Sequence, residues 1–165
     1  MSRKFKLTAP SIILGLIFCG ILAVELLKKL SNKGTQHIAE LTDNWINAVT
    51  VKNNPQYIAS LFCRDANLFG SISKTNRTGT SIAHYFNYFA NIPGIQVLNR
   101  KYHIRQIANN VYLNSALVTW KWDAIKEPVL VRMSFLFKGN CITHLHGCGL
   151  PELHEDLKNS PYPII

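Results

Sequence analysis

Near the end of this chain of 165 residues, the stretch "CITHLHGC" holds two histidines one residue apart, between two cysteines seven positions apart. Imidazole can move a proton at neutral pH or ligate a metal, so both chemistries are candidates. The spacing argues against zinc. His144 and His146 lie between Cys141 and Cys148 without paired knuckles, and no third and fourth ligand is evident, so no metal is expected. In a strand, residues two apart point the same way, so Ile142, His144, His146 and Cys148 are expected on one face. The preceding run "VRMSFLF" decides what stands beside them. A two-residue turn at Gly139-Asn140 pairs Phe135 with His144 and Met133 with His146. A three-residue turn at Lys138 to Asn140 pairs Ser134 with His144 and Arg132 with His146, lining a polar pocket.

Three uses of the histidines compete at this point: a metal site, structural histidines satisfied inside a half-polar sheet, or an anion-binding or catalytic cavity. Arg132, set between Val131 and Met133, either pairs with an acid such as Asp123 or Glu127 or awaits an anionic ligand. Tyr85 could be a pocket hydroxyl. Asp43, Asp65 and Asp123 give no convincing interior base, so His144 or His146 would serve if the protein were an acid–base catalyst. Trp45, Tyr57, Tyr85, Trp120 and Trp122 suit a core better than a ligand cage, although Trp120 and Trp122 share a sheet face that could meet another subunit.

The elements that must position these groups follow from periodicity. Ile38, Leu41, Trp45, Ala48 and Val49 make a helical stripe. "NNPQYIASLF" predicts a short second helix, with Asn54 as cap and Pro55 in its first turn. "DANLFGS" predicts a strand. "TGTSIAHYFNYFANIPG" predicts a third helix, capped by Thr80 or Ser81 and ended by Pro93-Gly94. Four long strands come after it, with Asn109-Asn110 and Gly139-Asn140 as turns. Tyr112, Asn114, Ala116, Val118, Trp120 and Trp122 fall on one face of the second of them. Helices toward one end and strands toward the other make an α+β domain, with one sheet curling around the helices.

Residues 1–33 stand apart. A basic start precedes an apolar run from Ile12 to Val24 that suits the core of a secretory signal, and Ala9 to Leu27 gives nineteen residues with one acid, close to the roughly 20 that cross a bilayer. Ile21 and Phe18 spoil the cleavage and lipoprotein signals, so an uncleaved membrane anchor is favoured over a removed signal, and export to the periplasm or medium results if the segment is cut. Lysines and arginines flank both ends and leave the orientation open. These residues hold six of the 18 basic residues and one of the nine acidic ones, so the folded part is only mildly basic and nucleic acid is not expected as a partner. Cys63, Cys141 and Cys148 form an odd set in the domain, with room for one bridge if the domain is exported. The motif Asn76-Arg77-Thr78 also matches a glycosylation sequon.

Four stretches in order resemble one family. "NNPQYIASLFCRDANLFGSIS", "NRTGTSIAHYFNYF", "VRMSFLF" and "ITHLHGCGLPE" look like segments of the SnoaL-like branch of the nuclear transport factor 2-like superfamily, nearest the calcium/calmodulin-dependent protein kinase II association-domain group. The resemblance covers residues 35 to 153. It departs from the family at Gly147-Cys148, where serines are usual, and at Cys141, near a usual tryptophan. It implies a cone-shaped α+β fold with three N-terminal helices packed on a curved, mostly antiparallel sheet. The expected domain spans residues 34–156, followed by a tail at 157–165. The resemblance favours the register that puts Arg132 in a cavity, and its motif carries an arginine at Arg77. The ligand-binding set it suggests is Arg77, Tyr85, Arg132, Ser134, His144 and His146. The function it implies is a non-enzymatic ligand-binding and oligomerisation module: a homodimer or larger ring, with a polar pocket for a small anionic or peptide ligand and no cofactor. The alternative is a small cofactor-free isomerase, cyclase or hydrolase with a pocket histidine as base.

Overall fold

The computed structural model describes Glu25, Lys29 and residues 32–71 and 75–149. The expected anchor, the end of the domain and the tail lie outside these residues. Among the described residues, no helix is long and apolar enough to cross a membrane.

The first helix, α1 (residues 32–47), continues into a π-helical turn at Ala48–Lys52. Its stripe of Ile38, Trp45, Ala48 and Val49 is buried, as its spacing predicts. Asn53 ends the turn in the left-handed region (φ 48°), where a short polar side chain is tolerated, and returns its N–H to the Ala48 carbonyl. The Asn54 side chain then accepts the Tyr57 N–H at 3.0 Å and starts α2 (Pro55–Ser60), with Pro55 at a position where no N–H is needed. Strands β1 (Phe62–Phe69) and β2 (Arg77–Thr78) come next, then α3 (Thr80–Phe89). The helices therefore do not form one uninterrupted N-terminal block. The expected cap of α3 is corrected: Gly79 occupies that position, and Ser81 instead bonds back to both backbone groups of Thr78, so its hydroxyl is spent on the turn.

Strands β3 (Gln96–Ala108), β4 (Val111–Lys121), β5 (Val129–Lys138) and β6 (Cys141–Gly149) complete a six-stranded sheet in the order β2-β1-β6-β5-β4-β3. Every pairing is antiparallel except β1 with β6. Bulges interrupt the β1–β6, β3–β4 and β5–β6 ladders, and such extra residues bend and twist a sheet. The helices cover one face. Trp45 sits at the centre of that layer, edge-on to Phe86 (6.0 Å between centroids), Trp120 (6.3 Å) and Phe135 (5.2 Å). Thr42 and Asn114 are the buried polar pair: the Asn114 amide donates to the Thr42 hydroxyl at 2.9 Å, which donates to the Ile38 carbonyl.

One covalent tie joins the two parallel strands at their starts. Cys63 and Cys141 form a disulfide with Cα atoms 5.2 Å apart, across 78 residues of chain. Cys148 is free and exposed.

Candidate functional site

The hairpin from β5 to β6 decides which way the histidines face. It opens with a two-residue turn: Lys138 opposes Cys141 and Phe137 opposes Ile142. Continued without interruption, that register would place His144 beside Phe135, in the core. Thr143 intervenes as an extra residue, so Leu136 opposes His144, Phe135 opposes Leu145, Ser134 opposes His146 and Arg132 opposes Cys148. The Thr143 hydroxyl donates to the Leu136 carbonyl at 3.0 Å and takes up an acceptor at the interruption. A one-residue slip reverses the faces of everything after it. Ile142 points inward before the bulge; Leu145 and Gly147 point inward after it.

The expected common face of Ile142, His144, His146 and Cys148 is therefore corrected. Ile142 is buried, whereas His144 is half-buried and His146 and Cys148 are exposed on the outer face of the sheet, away from the helices. Arg132 and Ser134 lie on that outer face too, because Val131, Met133 and Phe135 alternate with them into the core. Of the six residues expected to line one pocket, the fold puts four on one face, Arg132, Ser134, His144 and His146, outside rather than inside, with Ser134 opposite His146. The bulge was invisible in the sequence because threonine is an ordinary strand residue.

This outer cluster is built on β1, β5 and β6. Phe69 of β1 opposes His146 and packs its ring against both imidazoles, at 5.7 Å from His144 and 6.2 Å from His146. Arg132 is exposed, and no ion pair of Arg132 with Asp123 or Glu127 is found among the described residues. The salt bridge that is found joins Arg100 to Asp43 at 2.6 Å on the helix side, with both partners largely exposed, so it contributes little. Tyr102 donates to the same Asp43 at 2.6 Å. Burial, and then the adjacent carboxylate, raise its phenol well above the ordinary tyrosine range. Tyr57 shifts the other way, held down first by its bond to Asn44 and then by Lys52. Among the described residues, no group of three or more histidines, cysteines or acids could hold a metal ion.

The interior offers much less. Between the helices and the sheet is a cavity of about 10 Å³, room for roughly one water molecule. Trp45, Tyr85, Phe86, Phe89, Trp120 and Met133 fill most of the space around it. Tyr85, one of the expected pocket residues, does reach this cavity; it is 8% exposed and stacks on Phe89 at 5.7 Å. Its ring occupies the space that a side chain at Gly70 would need. Among the described residues, no histidine or acid lines the cavity. Arg77 lies half-buried in β2, opposite Leu68 at the far edge of the sheet, and not with Arg132.

No family model and no curated protein matches this chain. Solved structures do. A protein described as a calcium/calmodulin-dependent protein kinase II association domain from Xanthomonas campestris is 23% identical, covers 70% of this chain and 86% of its own, and superposes with a TM-score of 0.57. A protein described as a dehydratase of the NTF2-like family from Streptomyces avermitilis is 9% identical over 73% of this chain and 99% of its own, with a TM-score of 0.64. The chain has the nuclear transport factor 2-like fold. A second kinase II association-domain-type protein, from Thiobacillus denitrificans, is 12% identical over 67% of this chain and 92% of its own (TM-score 0.56). At these identities the likeness establishes the architecture. An NTF2-like chain can be a binding module or an enzyme, and the choice rests on this chain's own residues.

Proposed function

We propose that this NTF2-like domain is a non-enzymatic binding and assembly module that works from the outer face of its sheet. The observation that carries the reading is the division between the two faces. The described cavity around Tyr85, between the helices and the sheet, has room for about one water and no histidine or acid among its described lining residues, while Arg132, Ser134, His144 and His146 stand on the outer face. A base must come within hydrogen-bond reach of a substrate proton, and the two histidines stand on the wrong side of the sheet for an interior substrate. That weighs against the isomerase, cyclase or hydrolase alternative.

The outer cluster suits two tasks. Phe69, 40% exposed between two imidazoles, is an aromatic anchor of the kind that subunit contacts bury, and a second copy of this chain is its partner. Arg132 with Ser134 and His146 supplies donors for a small anion or an acidic peptide. The chain is held at a membrane by residues 1–33, or exported if they are cut, with the domain in an oxidising compartment. The Cys63–Cys141 bridge supports this, since such bonds persist outside the reducing cytosol.

Native mass spectrometry of the chain, purified in mild detergent, reads subunit count and retained ligand together. A dimer or larger ring is the expected result. A monomer would remove the assembly half of the reading.

A further inference from the structure

Strand β3 lies at an edge of the sheet. It pairs with β4 on one side, and among the described residues no strand pairs with its other side. Alternate residues of such a strand turn their N–H and C=O groups toward the open side, a template for a further strand. The opposite edge, β2, is two residues long and offers nothing comparable. Bulges at Val97/Asn99 and Gln106/Ala108 bound a regular stretch from Asn99 to Gln106, which holds no proline. At about 3.4 Å per residue that stretch is about 27 Å long.

The strand alternation divides its side chains. Arg100 and Tyr102 turn toward the helices, where both bond to Asp43 of α1, and Ile104 packs against the core. Lys101, His103 and Arg105 therefore stand on the outer face at every second position, opposite Leu117, Ser115 and Leu113, and all three are exposed. The Arg105 Nε donates to the His103 Nε2 at 2.9 Å, so the two side chains are held together. β3 carries no acid. The outer basic strip continues inward along one row: Lys101 opposes Leu117, Leu117 opposes Arg132, and Arg132 opposes Cys148.

Charge at an edge guards a strand against pairing with another chain. Here the guard is selective. Two β3 strands joined antiparallel about His103 would set Lys101 directly opposite Arg105, and like charges so opposed are destabilising. A strand with an acid at every second position meets Lys101, His103 and Arg105 with the opposite sign at each. Its intervening residues would lie beside Tyr102 and Ile104, which are partly buried against the core, so apolar ones fit there. We infer that the free edge of β3 takes up an extended segment of another protein whose sequence alternates acidic and apolar residues, added as a seventh strand beside Asn99 to Gln106. Backbone hydrogen bonds supply the affinity, and the period-two cations supply the choice of sequence. The site lies two strands from Arg132 and goes beyond the anion site proposed there.

The test titrates the full chain, in mild detergent, with three capped peptides of equal charge. One is Glu-Val-Glu-Thr-Glu-Val-Glu. The second is the same sequence N-methylated at every residue, which keeps the carboxylates and removes the donors of a strand. The third holds the same residues with the four glutamates in a run. The alternating peptide is expected to bind about tenfold or more tightly than the other two. Bound, it should slow amide hydrogen exchange within residues 99–106 and leave α3 unchanged. The Lys101→Glu/Arg105→Glu variant changes two exposed side chains and should keep the fold. It is expected to lose the acidic peptide and to bind Lys-Val-Lys-Thr-Lys-Val-Lys instead. Equal binding of all three acidic peptides would overturn strand pairing and leave the anion site at Arg132 standing. No binding, or exchange in residues 99–106 that a bound peptide does not slow, would overturn the inference outright.

Discussion

The two faces of this sheet are made from the same strands, yet they differ in kind. The inner face is aromatic and closed around Trp45, with the Asn114 amide donating to the Thr42 hydroxyl where a polar pair is buried. The outer face carries cations, imidazoles and exposed apolar side chains, with no acid on β3 to β6. The ladder passes over Thr143 instead of pairing it, and that bulge assigns the histidines to the second face rather than the first. In an NTF2-like fold, then, a polar cluster in the closing strand need not belong to the cavity. A single bulge can turn it from a pocket wall into a surface.

The sharpest ways to test this contrast lie at the bulge and just beyond it. Deletion of Thr143 takes out the extra residue, so Ile142 opposite Phe137 would run straight on to His144 opposite Leu136 with the later faces kept, and a cooperatively folded chain is expected by circular dichroism. Leu145→Asp, by contrast, would bury a carboxylate on the inner face and should abolish cooperative folding; a retained melt would show that Leu145 does not point inward. Next in size, Trp45→Ala empties the centre of the aromatic layer and should cost about 3–5 kcal/mol in denaturant unfolding. The Cys63→Ala/Cys141→Ala pair should lose about 2–5 kcal/mol. Reductant should lower the melting temperature of the wild type and leave that variant unmoved.

A smaller effect sits at the edge of the inner face. Tyr102 keeps its proton in the fold more tightly than in the unfolded chain, because burial and then Asp43 disfavour phenolate. Its contribution is whole below the ordinary tyrosine pKa of 10.0 and is lost as pH rises past that value toward the raised one, because the unfolded chain ionises first. Stability should therefore fall above pH 10 in the wild type and fall less steeply in Tyr102→Phe, as followed by urea midpoints. Smallest of all, Arg132→Ala on the exposed outer face should stay within about 0.5 kcal/mol of the wild type in stability, while weakening the binding of an acidic peptide. If it destabilises as much as a core substitution, the two faces are not the separate systems described here.

Much of this contrast was legible in the sequence. The stripe through Ile38, Trp45 and Val49, the Asn54 cap with Pro55, and the face of β4 from Asn114 to Trp120 all follow from period and local hydrogen bonding. The turn at Gly139-Asn140 was legible in place but not in length, since two- and three-residue forms stayed open and the resemblance favoured the longer. Three things were not. The bulge has no compositional mark, and it reverses the faces of the residues that mattered most. The bridge between Cys63 and Cys141 depends on β1 pairing in parallel with β6, a contact across 78 residues that local patterns do not encode. The outer basic strip was hidden because Lys101, Arg105 and Arg132 are dispersed along the chain and meet only when four strands align.

The most direct test of the central claim, that this domain works from its outer face, is the native mass of the Phe69→Asp chain beside the wild type, at matched concentration and with matched melting temperatures. A wild-type dimer or ring that falls to a monomer on this one substitution is the expected result. A variant that keeps the wild-type subunit count would contradict it and return attention to the interior around Tyr85.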